Sequence, residues 1–148
     1  MMRRLCGAGF AVGLMAIMSG CGPQAAGVTG SGQDIYNQRC AMCHGADRGG
    51  VSPWYPPLTR SEWVDGPPER LAAIILNGLQ GRAGKFDAVM PGWGGVMNDA
   101  EIAAVMTWLR AGDGKSAVTA VEVNHVRIVT AARNTFWTVD DLRNTAIK

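Results

Sequence analysis

Apolar positions recur at helical spacing in two long stretches. Leu71, Ile74, Ile75 and Leu79 fall at i, i+3, i+4 and i+8, and Ile102, Val105, Met106 and Leu109 at i, i+3, i+4 and i+7. Each set makes one stripe that a helix turns toward a core. Gly66-Pro67-Pro68-Glu69 opens the first, with proline and an acid in the opening turn, and Asn77-Gly78 closes it. This first stripe is read as plain core. Asn98-Asp99-Ala100-Glu101 opens the second as a cap with a carboxylate at the third helical position. Arg110 complements the dipole of that helix, and Gly112 is expected to end it.

Shorter groups lie on either side. Ser31-Gly32-Gln33-Asp34 reads as the capped start of a helix that carries Ile35 and Tyr36 inward and is too short to be stable alone. Trp108, on the flank of the second stripe, is placed to meet that turn. Beyond Gly114, Thr119-Ala120-Val121-Glu122 starts a helix with Val123 and Val126 inward, and Thr138-Val139-Asp140-Asp141 starts a last short one with Leu142. Too few apolar positions remain there for a separate core. Residues 113–148 are therefore expected to form a helical extension lying on the body or on a partner. Between the helices, Gly45, Gly49 and Gly50 turn the chain ahead of Pro53-Trp54-Tyr55-Pro56-Pro57-Leu58, an extended path suited to walling a flat cofactor. The glycine-rich stretch from Gln80 to Met97 is read as a loop, and loops carry ligands.

The chemistry concentrates at Cys40-Ala41-Met42-Cys43-His44. One turn of helix puts both thiols on one side, where each can add to a vinyl group of one porphyrin, and the adjacent His44 reaches the iron as proximal ligand. C-x-x-C-H is the attachment signature of c-type haem. Two other uses of the spacing stay open. A thioredoxin-like dithiol is one, although no βαβ pattern surrounds it. Half of a zinc site is the other, with His125 the one remaining histidine. His125 itself is read as a surface or packing residue, iron ligation being its alternative. For the far side of the iron, Met42 lies inside the motif and Met106 inside a helical stripe. That leaves Met90 and Met97, and Met90, in the glycine-rich loop and followed by proline, is favoured. A Met/His pair raises the reduction potential relative to other axial sets. The indole N–H of Trp63 suits a haem propionate or plain packing.

The 148 residues leave room for one small domain with additions. Arg3 and Arg4, the uncharged run from Leu5 to Gly20, and Cys21 make residues 1–20 a signal peptide of lipoprotein type. Met18-Ser19-Gly20-Cys21 looks like a lipobox, with Met18 where Leu is usual. Cys21 would then carry lipid, whereas ordinary cleavage would leave it a thiol. Residues 21–31 make a flexible tether and residues 32–112 the main domain. Cys6 leaves with the signal, so no cysteine pair remains for a disulfide. Of 14 Lys+Arg, two lie in the signal, and the remaining twelve balance the 12 Asp+Glu. That balance implies no nucleic-acid partner. The expected address is the bacterial periplasm, at a lipid membrane through an N-terminal acyl anchor.

With Cys40–His44, Met90-Pro91, the Trp63 region and the capped long helix placed, residues 32–112 resemble a class I monohaem cytochrome c. The resemblance implies an all-α fold packed around one covalent haem c, with thioether links from Cys40 and Cys43 and axial ligands His44 and Met90. It implies a one-electron carrier rather than an enzyme, exchanging electrons with redox protein partners. A haem module with an open distal site, in an enzyme subunit or a gas-responsive sensor, is the alternative. The tail, through Val118-Thr119, Glu122-Val123, Arg127 and Trp137-Thr138, is similar to cytochrome c domains found beside or fused to copper nitrite reductases and periplasmic dehydrogenases.

Overall fold

The computed structural model describes residues 30–81 and 88–147. The signal segment, Cys21 and most of the tether lie outside the described residues, as does the middle of the Gln80–Met97 loop. Among the described residues seven α-helices form: α1 (Gly32–Arg39), α2 (Ala41–His44), α3 (Glu62–Asp65), α4 (Pro68–Asn77), α5 (Asp99–Arg110), α6 (Ala120–Val129) and α7 (Val139–Asn144). Four of them start at reciprocal caps. Ser31, Asn98, Thr119 and Thr138 each accept the N–H three residues on, while the acid at that position accepts the cap's own N–H. Each cap satisfies two backbone donors that the helix leaves orphaned. Hydrogen bonds from the Ser31 hydroxyl and N–H hold the Asp34 carboxyl below its ordinary value.

An eight-residue helix such as α1 needs a neighbour, and α5 is that neighbour. Ile35 and Tyr36 are buried, and the Tyr36 ring lies 4.8 Å from that of Trp108. At residue 32 the two helices approach closely. A Cβ on Gly32 would run into the Ala104 carbonyl oxygen and lie 2.7 Å from Trp108 Cβ. Arg48, on the turn after His44, lays its guanidinium 5.1 Å from the Trp108 ring.

α5 ends at Arg110, but Gly112 does not stop the chain there. A 3₁₀ turn, Ala111–Asp113, continues it to Gly114, which adopts a left-handed φ of 65°. Arg110 is buried, and its guanidinium does more than complement its own helix. It donates to Val64 O at 2.6 Å and Gly66 O at 2.8 Å, the carbonyls left open where α3 ends.

Among the described residues the fold is helical, as expected, with one small two-stranded sheet added to the helices. Gly78, at φ 84°, turns the chain out of α4, so Leu79 leaves the helical stripe it was expected to complete. Gly78–Leu79 (β1) pairs antiparallel with Met90–Pro91 (β2), Leu79 opposite Met90. Trp137 flanks the same strand, its N–H donating to Gly78 O at 3.0 Å and its carbonyl accepting from Gln80 N–H at 2.8 Å. Strands of two residues show no alternation in a sequence. They form because backbone groups turned out of a helix need partners.

The extension lies on its own body. Val118, Val123, Val126, Trp137 and Leu142 belong to the same buried cluster as Tyr36, Ile102 and Met106. Replacing Gly32 by alanine is expected to lower the unfolding free energy of the haem-loaded protein by about 1–3 kcal/mol, the usual cost of overpacking. Denaturant titration reads the change, and a loss below about 0.5 kcal/mol, the size of a neutral surface substitution, would show that the two helices can part freely.

Candidate haem site

Cys40 both ends α1 and begins α2. Its carbonyl accepts from Cys43 N–H at 3.1 Å and His44 N–H at 2.9 Å, closing the single tight turn that the motif requires. The Tyr36 hydroxyl donates to Gly45 O at 2.6 Å and pins the far end of that turn to α1. Cys40, Cys43 and His44 all line one cavity of about 580 Å³. Burial, and after it the neighbouring Cys43, pushes the Cys40 thiol up to about 11. A redox dithiol needs the opposite, a thiolate at neutral pH. Among the described residues no three His, Cys, Asp or Glu side chains gather to hold an ion.

The His44 ring is fixed by the backbone. Its Nδ1 lies 3.0 Å from Pro56 O, and because a carbonyl only accepts, the proton sits on Nδ1 and the lone pair on Nε2. Burial lowers the pKa of His44 below its ordinary value, against the hydrogen bond to Pro56, which raises it. The imidazole therefore stays neutral, as a metal ligand must. Gly50 makes this geometry possible. Its N–H donates to His44 O at 2.8 Å, and at φ 73° any Cβ would lie 2.6 Å from Pro56 C. Tyr55, Pro56, Pro57 and Leu58 then wall the cavity as expected, but Trp54 does not join them and stays 60 % exposed.

Leu71, Ile74, Ile75 and Leu79 also line the cavity. This corrects their reading as plain core, since periodicity identifies a buried face but not what covers it. The lining is mostly apolar, as a porphyrin face requires. An apolar opening of this size suits a large flat apolar occupant.

Met90 and Met97 both reach the cavity wall. Met90 is half-buried on β2, whereas Met97 is 4 % exposed and packed. Met42 points to solvent, Met106 is enclosed within the core, and neither lines the cavity. His125 is exposed on α6, away from the site. Trp63 lines the cavity with the Arg143 guanidinium 6.0 Å from its ring, and Arg143 pairs with Glu62 at 2.8 Å. Arg39, 6.0 Å from the Trp93 ring, is a second lining cation. Arg39, Arg143, Val139 and the Pro56 carbonyl were not legible beforehand. No local pattern marks a residue brought to a site by distant packing.

A family described as cytochrome C oxidase, cbb3-type, subunit III, matches residues 28–109, more than half of the chain. The chain is 29 % identical over 117 residues to the alcohol dehydrogenase (quinone), cytochrome c subunit, of Gluconobacter oxydans (strain 621H), covering 74 % of this chain and 24 % of that protein. The protein of the same name from Gluconacetobacter polyoxogenes is 36 % identical over 103 residues, 65 % of this chain and 22 % of that one. The cbb3-type cytochrome c oxidase subunit CcoP of Azospirillum sp. (strain B510) is 31 % identical over 97 residues, 61 % of this chain and 31 % of that one. The chain thus spans less than a third of the length of each of these relatives.

Replacing Cys40 by alanine leaves at most one thiol for attachment. Haem retention under denaturing conditions should fall, and the fold should weaken with it, because a domain this small leans on its cofactor for a core. Mass spectrometry of the peptide containing residues 40–44 provides the check. Unchanged covalent haem in this variant would remove Cys40 from the site.

Proposed function

We propose a function from one premise: the chain belongs to the cytochrome c domain family of cbb3-type oxidase subunit III. Covalently bound haem c is the cofactor this family implies. When bound, it supplies a one-electron ferrous/ferric couple, and the domain's role is that of an electron carrier. Cys40 and Cys43 would hold the porphyrin edge as thioethers, one haem to the chain. His44 would offer Nε2 to the iron, while Nδ1–H stays on Pro56 O and keeps the ring from turning. The observation that most supports this reading is that hydrogen bond, set in an apolar wall shared with both thiols and with Met90.

Met90 is the proposed second axial ligand. It sits on a strand of only two residues, ahead of a proline with no N–H to tie down. Met97, by contrast, is packed and held through its backbone at both ends, N–H to Trp93 O at 2.8 Å and carbonyl to Arg127 at 2.9 Å. Arg39, Arg143 and Trp63 provide cations and an N–H along the cavity lining, available to propionates.

Met42, 87 % exposed beside the attachment turn, offers an apolar surface suited to brief docking of a redox protein. A near-balanced charge gives weak electrostatic steering. The named relatives are subunits of a quinone alcohol dehydrogenase and of a cbb3-type oxidase. An oxidoreductase of this kind is the proposed electron donor or acceptor. The signal pattern supports export to the periplasm, with lipid on Cys21 as the anchor.

The ferric holoprotein should show the far-red band of a thioether–iron bond at neutral pH. Met90→Ala is expected to keep covalent haem, lose the band and lower the potential, whereas Met97→Leu leaves both unchanged. A band lost in Met97→Leu would pass the role to Met97, and a wild-type protein without the band would favour an open distal site.

Cys21→Ser should move the protein from the membrane to the soluble fraction, since stable anchoring takes more than one acyl chain and all of them would be lost. Unaltered membrane partition on fractionation would sink the lipid anchor.

A further inference from the structure

Both limbs of the loop that bears Met90 are gripped by the C-terminal extension. On the returning limb the grip is a single side chain. Arg127, on α6, donates Nε to Asp99 Oδ1 at 2.7 Å, Nη1 to Gly94 O, and Nη2 to Met97 O at 2.9 Å. Asp99, in the first turn of α5, also accepts from Asn124 Nδ2 at 2.8 Å, so two helices orient the guanidinium. The same limb donates Trp93 N–H to Ile75 O at 2.7 Å and Gly94 N–H to Leu76 O at 3.0 Å, near the end of α4. Residue 94 has no room for a side chain, since a Cβ would stand 2.8 Å from Leu76 O and 3.2 Å from Arg127 Nη1. On the outgoing limb Trp137 brackets β1, the strand that pairs with Met90. Arg127 and Trp137 both lie beyond residues 28–109, the part matched by the family.

We propose that Arg127 is a positioning residue for the sixth iron ligand: by tying the Gly94 and Met97 carbonyls to α5 and α6, it holds the 93–97 limb still, so that Met90 stays at the iron and Met97 stays in the wall. The proposal rests on the haem and Met90 reading above. The chemistry selects arginine. Two carbonyls and a carboxylate need three N–H donors in one plane, which a guanidinium supplies and an ammonium does not. Each of these bonds is charge-assisted and only partly open to water, with the Arg127 and Asp99 side chains 31 % and 21 % exposed. Freed of them, the limb gains freedom to swing, and an outside ligand competes better for the iron.

The test uses the haem-loaded full chain with Arg127→Gln and Arg127→Lys. Imidazole binding to the ferric protein and the alkaline midpoint of the far-red band are the readouts. Arg127→Gln is expected to bind imidazole about tenfold more tightly than wild type, the factor that loss of one such hydrogen bond supplies, and to lose the band at lower pH. Arg127→Lys should fall between the two. A general loss of packing would lower the unfolding midpoint without this graded exchange of ligand. A normal band in wild type, with both readouts unmoved in Arg127→Gln, overturns the proposal. A wild-type protein without the band overturns the Met90 reading instead, and the two failures are told apart by that spectrum alone. Should Arg127→Gln fail to accumulate, Asp99→Asn removes the carboxylate that orients Arg127. It should shift both readouts in the same direction by less, and no shift in it also overturns the proposal.

Discussion

The approach of α1 to α5 is so close that residue 32 has no space for even a methyl group, and the cofactor cavity depends on that contact. α1 delivers Cys40 directly into the attachment turn, while Val105 and Leu109 of α5 contribute to the cavity wall. Two segments about 70 residues apart in sequence thereby fix two sides of one site. Tyr36 makes the coupling concrete. Its ring packs on Trp108, and its hydroxyl holds the carbonyl of Gly45 just past His44. Burial of that phenol pushes its pKa up to about 12, so the hydroxyl remains a donor at any physiological pH.

Part of the buried apolar cluster in this domain also lines a cavity. α4 shows the division. Leu71, Ile74 and Ile75 look into the cavity, whereas Ala72 and Ala73 are buried without lining it. Small residues on one face let neighbouring helices come near, and large ones on the other leave a surface for a planar group to lie on. The polar demands of the site are then few. One carbonyl, that of Pro56, sets the tautomer of His44, and glycine at position 50 is what brings that carbonyl within reach.

The extension shows how an addition to a small domain can act on its centre. It is too short to form its own core, so its apolar residues complete the existing one, and Val139 and Arg143 become part of the cavity lining. Its polar residues then meet backbone groups that the loop between β1 and α5 would otherwise leave to water. A loop between β1 and α5 restrained from outside would present Met90, the proposed ligand, with less conformational entropy to lose.

The local signals in the chain were enough to specify much of this protein. The pentapeptide at Cys40–His44, the reciprocal caps at Ser31, Asn98, Thr119 and Thr138, and the apolar stripes all depend on residues within a turn or two of one another, and their chemistry is readable at that range. The Tyr36–Trp108 meeting was legible for the same reason, because the phase of each helix fixes which residues it presents. What the tertiary structure alone decided depends on long-range geometry. The two-residue strands, the Pro56 carbonyl on His44, the end of α3 on Arg110 and the Arg127 grip on the loop join groups 11 to 46 residues apart, and the use of the α4 stripe as a cavity wall is likewise set by distant packing. Backbone carbonyls carry no residue identity, and a hydrophobic period does not say whether a side chain or a cofactor will cover it; only the packed fold supplies that information.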